Sequence, residues 1–144
     1  MVSRTAEHAI RAVLYLARRA GEAPVAVEAI AAALGAPRNY LSKTLHALTK
    51  HGIVEGVRGV RGGFRLAVDP AALPLSRIVA LFDEPRATGM CMLGGRRCDA
   101  RVPCAAHLRW TAIAEAAHAP LRATTVADLV DGAPAELEPQ LLAG

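Results

Sequence analysis

Residues 33–67 read ALGAPRNYLSKTLHALTKHGIVEGVRGVRGGFRLA, and this stretch decides the fold. Gly35 closes a run in which Val27, Ile30, Ala31 and Leu34 recur at helical spacing. A residue without Cβ enters the left-handed C-cap conformation at little steric cost, so the first helix ends there. Ala36-Pro37-Arg38 is a short link, with Pro37 suited to the first turn of the next helix. That helix places Leu41, Leu45 and Leu48 on one face and stops at Gly52. Two short helices joined by a brief glycine-containing turn form a helix-turn-helix. Ile53 and Val54 then begin a strand, and Phe64, Leu66 and Val68 alternate as a second. The intervening VRGVRGG is glycine-rich and basic, which predicts a two-stranded wing carrying Arg58, Arg61 and Arg65. Its glycines lack the order and the strand-to-helix context of a nucleotide-phosphate loop.

Working outward, residues 5–19 form an amphipathic helix with Ala9, Ile10, Val13, Leu14 and Ala17 on one face and Thr5 as a candidate cap. The GEAP of residues 21–24 breaks it. Past the turn at Asp69-Pro70, a short helix is expected over residues 76–82 and a long one over about 104–121. The long helix carries a stripe of Trp110, Ile113, Ala114, Ala117 and Leu121, which packs either on the core or on a second subunit. A last helical turn near 126–130 leads into a tail expected to fray. The fold class is mainly α: a winged helix-turn-helix with a two-stranded wing and a long C-terminal helix, a dimerisation helix if its stripe meets a second subunit. The expected divisions are the winged helix-turn-helix region over 1–70, the cysteine-bearing loop and long helix over 71–132, and a flexible tail over 133–144.

Composition agrees. The chain has 144 residues, 53% of them apolar but only five aromatic, so its core is aliphatic. No run has the length and apolarity of a membrane span or the form of a signal peptide, so a cytoplasmic protein is expected. Of the formal charge of +4, residues 1–66 carry +6 and residues 67–144 carry −2. A basic first half points to an anionic polymer as partner. In a winged helix the third helix enters the major groove by its N-terminal end. Its outward positions here hold Arg38, Asn39, Ser42, Lys43 and His46, types that read base edges or hold phosphates, with Tyr40 beside them as a packing residue. Arg58 and Arg61 on the wing tip suit a narrow minor groove. A solvated helix face is the plain alternative for any one of them; together with the turn and wing they point to double-stranded DNA, bound as a homodimer on a two-fold site.

The second signal is CMLGGRRCDARVPCAAH, residues 91–107. Cys91, Cys98 and Cys104 are the protein's only cysteines, and their neighbours are glycine, arginine and aspartate rather than the apolar company of buried thiols. Arginines favour the thiolate that binds metal. The spacing C-x6-C-x5-C-x2-H has no close C-x2–4-C pair of the structural zinc kind, and wide spacing on one loop suits an iron–sulfur cluster. Cluster, zinc and free redox-active thiols all stay open on this chemistry. His107 falls one helical turn after Cys104, on the same face. No Ser-His-Asp set, paired carboxylates or nucleotide loop suggests an enzyme, and no small-molecule substrate is expected.

NYLSKTL, the wing VRGVRGGFRLA and the three cysteines followed by histidine resemble one family over residues 1 to about 131. It is the family of bacterial winged-helix repressors that includes the iron–sulfur regulator IscR and the nitric-oxide sensor NsrR. The resemblance implies a homodimer formed by crossed C-terminal helices, with an iron–sulfur cluster controlling DNA binding. It implies Cys91, Cys98 and Cys104 as thiolate ligands and His107 as the fourth ligand of a 2Fe–2S cluster. Other members use a carboxylate near the start of the first helix, supplied by the partner subunit, and Glu7 stands at that position. The first spacing, C-x6-C, departs from the C-x5-C of IscR-like members. The 2Fe–2S cluster with His107 is favoured; Glu7 from the partner subunit is the alternative fourth ligand, and 4Fe–4S the alternative cluster.

Overall fold

The computed structural model describes residues 2–83 and 105–132. Cys91, Cys98, Cys104 and the 133–144 tail lie outside the described residues. The elements run α1 (Arg4–Ala17), α2 (Val27–Leu34), α3 (Arg38–Lys50), β1 (Val54–Val57), β2 (Gly63–Leu66), a 3₁₀ turn (Pro70–Ala72), α4 (Leu75–Val79), α5 (Ala105–Ala123) and α6 (Val126–Gly132).

Helix α1 lies at the centre. Its cap is Ser3, whose hydroxyl accepts from the Ala6 N–H at 3.2 Å, so Thr5 falls inside the helix rather than capping it. The expected apolar face is too narrow a description: Ala6, Ala9, Ala12, Val13, Leu14, Tyr15, Leu16 and Ala17 are all buried. The helix is enclosed by α2, α3, α4, α6 and β2, and its alanines let those neighbours approach closely. The core is aliphatic as the composition requires, with Leu16, Ile30, Leu34, Leu41, Leu45, Leu48, Ile53, Leu73, Ile78 and Val126 nearly or wholly inaccessible. Each such large side chain contributes about 1.5–3 kcal/mol of burial.

The α2–α3 turn closes as a Schellman motif. Gly35 sits at φ 61°, its N–H donates to Ala32 O at 3.4 Å, and the Ala36 N–H donates to Ala31 O at 3.0 Å. Pro37 stands one residue before α3, its carbonyl accepting from Leu41 N–H at 3.0 Å. Inside α3, Thr44 is buried and satisfied by donating to Tyr40 O at 3.2 Å.

β1 and β2 pair antiparallel with Val54 opposite Leu66 and Val57 opposite Gly63. Val25, just before α2, exchanges both backbone hydrogen bonds with Phe64, at 2.8 and 2.9 Å. The wing is thereby tied to the start of α2. Gly63 is required at this junction, because a Cβ there would stand 2.3 Å from Val25 O.

At the other end, the Leu75 N–H donates to Thr124 O and the Val126 N–H to Leu73 O, at 3.0 and 2.9 Å. Helix α6 is therefore sewn to the core rather than a loose last turn. A reciprocal cap starts it: Asp128 Oδ2 accepts from the Thr125 N–H and hydroxyl, both at 2.7 Å, and Asp128 N–H donates back to Thr125 Oγ1 at 3.2 Å. These bonds, the backbone one first, hold the Asp128 carboxyl below the usual aspartate range.

Candidate DNA interface and the approach to the cysteine segment

The outward face of α3 and the wing form one surface. Arg38 is the first residue of α3; it, Asn39 and Lys43 are exposed, and Ser42 is half-buried one turn on. No side chain among the described residues caps α3, so its first N–H groups stay open at the same end as Arg38 and Asn39. Arg58 and Arg61 flank the wing tip, where the Gly62 N–H donates to Gly59 O at 2.9 Å. That tight turn needs its glycines: Gly59 has φ 114°, and a Cβ on Gly62 would meet Val57 O at 2.4 Å.

Two of the expected contact residues also have work inside the fold. His46 Nδ1 lies 2.7 Å from Ser42 O, to which it donates, and its ring meets Phe64 edge to face at 5.9 Å. It therefore braces α3 against the wing. Tyr40 is half-buried and meets the His8 ring of α1 edge-on at 5.4 Å. His8 Nδ1 is buried and finds no hydrogen-bond partner among the described residues. Arg65 does not reach forward with the tip; it pairs with Glu55 across the strands. Between the start of α2, the face of α3 and the wing lies an open cleft of about 470 Å³, lined by Glu28, Arg38, His46, Thr49, Arg58 and Phe64 among others.

Glu28 is the member of this surface that sequence reading missed. Its carboxylate accepts from Arg38 Nε at 2.6 Å across the helix-turn-helix. Its own backbone N–H first, and then Arg38, hold its carboxyl below the ordinary glutamate range. Ten residues separate the partners, a spacing with no helical periodicity, so only the turn geometry brings them together.

The cysteine segment joins the end of α4 to the start of α5, and both ends are placed. Asp83 accepts from the Ser3 N–H at 2.9 Å, which brings the entry to the N-terminus of α1. Glu7 lies one turn along that helix, its side chain exposed and paired with Arg11 at 2.7 Å. The exit is the first turn of α5, where His107 is half-buried. Among the described residues no three His, Cys, Asp or Glu side chains gather as a metal site. In α5 itself Ile113 is 61% exposed and Ala117 is exposed, so these two stripe residues do not serve this chain's own core, whereas Leu121 packs against it. No described helix is long and apolar enough to cross a membrane.

Comparison with known proteins agrees with this geometry. The profile of the Rrf2 family, described as an iron-dependent transcriptional regulator, matches residues 2–132. An HTH-type transcriptional regulator of Aquifex aeolicus is 35% identical over 131 residues, covering 90% of each chain. The transcriptional regulator IscR of Yersinia pestis is 29% identical over 124 residues, 86% of this chain and 75% of that one. Among solved structures, T. potens IscR superposes with a TM-score of 0.76 at 26% identity, over 93% of this chain and 88% of that one. CymR, the global cysteine regulator of B. subtilis, gives 0.75 at 22% identity over 93% and 98%, a likeness of fold. These relatives are regulators and not enzymes. With its helix-turn-helix, wing and basic face, this chain belongs to the Rrf2 family of DNA-binding transcriptional regulators.

Proposed function

We propose that the protein is a cytoplasmic, homodimeric repressor-type regulator whose DNA affinity is set by an iron–sulfur cluster. The observation that carries the reading is the union, in one chain, of an exposed cationic helix face and wing with a three-thiol segment tied at its entry to α1 and at its exit to α5. Three thiolates and an imidazole are a donor set that suits a 2Fe–2S cluster. Cys91, Cys98 and Cys104 would hold it, with His107 as fourth ligand. Glu7 of the partner subunit, a residue that pairs with Arg11 within this chain, is the alternative fourth ligand. When bound, the cluster would supply a site altered by oxidants or nitric oxide.

The rest is done by protein groups. Ligation by Cys91, Cys98 and Cys104 would close the segment between α4 and α5 into loops. The exposed Ile113 side of α5 meets the same side of a second copy. A change at the loop then shifts α5 relative to the winged helix, and so alters the separation of the two α3 helices on a two-fold site. This is a two-state coupling, and it requires the two states to differ in affinity for both cluster and DNA. On DNA, Arg38, Asn39, Ser42 and Lys43 face the major groove, with Tyr40 and His46 bracing α3 at its edge. Arg58 and Arg61 reach the minor groove.

Anaerobic purification followed by a visible spectrum with iron and acid-labile sulfide analysis tests the cofactor. Coloured protein with matched iron and sulfide is expected. Colourless protein that takes up neither on reconstitution would leave a regulator that uses zinc or a thiol/disulfide switch.

A further inference from the structure

The Glu28–Arg38 pair sits at the front of the surface that the proposed function turns toward DNA, and its geometry goes beyond charge. Both side chains are about 60% exposed, so the pair adds little to stability. What it does is orient. The hydrogen bond engages Arg38 Nε, at the inner edge of the guanidinium. That restrains the group and leaves its end-on pair of donors, one N–H each from Nη1 and Nη2, for a second acceptor. Arg38 is the first residue of α3, the end of a recognition helix that approaches base edges. A two-donor fork matches O6 and N7 of guanine in the major groove, whereas a point charge such as lysine does not.

We propose that Glu28 is a specificity-determining positioning residue: by holding Arg38 Nε it presents the Nη fork of Arg38 to one guanine of the operator. This rests on the reading of α3 as the DNA-facing helix. Glu28 also places a negative charge near the phosphates, so it lowers affinity for DNA in general while sharpening the choice of base. The two effects have opposite signs and separate experimentally.

The test begins with operators selected by the wild-type protein from a pool of duplexes with a randomised core. Affinities of E28A, E28Q, R38A and R38K are then measured for the selected duplex, for its single-base variants and for an unrelated duplex. Expected is one base pair at which R38A, R38K and E28A each lose about tenfold in preference for guanine. E28Q, which keeps an acceptor oxygen for Nε, retains most of that preference. E28A binds the unrelated duplex more tightly than wild type, and adding E28A to R38A changes the preference no further. A merely electrostatic Glu28 would shift every duplex equally and E28Q would match E28A; that outcome overturns the proposal, as does R38K keeping the preference. Should R38A lose the preference while E28A keeps it, Arg38 reads DNA unaided and only the role of Glu28 falls. Should an R38A/N39A/K43A variant bind like wild type, the DNA-facing reading of α3 falls with it.

Discussion

Lys43 shows what a single residue contributes. It is exposed on α3, with no partner among the described residues to hold it in a base-reading geometry, so its part is that of a phosphate contact. K43A is expected to weaken binding about equally across duplex sequences and to lower the slope of log affinity against log salt by about one, measured by fluorescence titration at several salt concentrations. Asp128 offers a pH-dependent counterpart. Its folded pKa is depressed by the Thr125 cap, so its contribution to stability is present above the ordinary aspartate pKa and is lost as pH falls through the lower, folded value. The thermal midpoint of D128A should lie below wild type at neutral pH and converge with it in acid, while T125A costs about 1 kcal/mol at neutral pH. Exposed α3 residues were legible from a 3.6-residue period. Neither Glu28 with Arg38 nor Ser3 with Asp83 was, because each pair is brought together by tertiary geometry across a span that carries no sequence period.

At the scale of elements, the helix-turn-helix was readable because Gly35, Pro37 and the leucine spacing act locally, and each does in the structure what its chemistry dictates. The ends of elements were less so. Thr5 and Ser3 are both good caps, and the choice between them depends on where Asp83 pulls the Ser3 backbone. The wing held a further hidden feature: an added rung on the other edge of β2, Val25 against Phe64, joins residues on either side of the whole helix-turn-helix. Gly63 is where that rung leaves no room. G63A is expected to free the wing from α2, with a loss of DNA affinity larger than its loss of thermal stability; amide exchange at Val25 and Phe64 should rise together. Unchanged protection of both amides would show that the rung does not position the wing.

For the whole molecule, α5 is the element whose role one chain leaves open. Its stripe was visible in sequence, but periodicity gives the face and not the partner; exposure of Ile113 points that face outward. I113E is expected to convert a dimer to a monomer in sedimentation and to weaken operator binding by at least about tenfold, since one winged helix covers only a half-site. The proposed ligand set rests on chemistry alone: thiolates of suitable type and spacing, and a histidine in the first turn of α5, with the cysteines themselves outside the described residues. The claim that joins both halves is that cluster and DNA are linked. The most direct measurement is the operator Kd of anaerobically isolated protein before and after removal of its iron and sulfide, set beside C91A/C98A/C104A. A change of about tenfold or more on removal, absent in the triple variant, is expected. The same Kd in all three samples would contradict it.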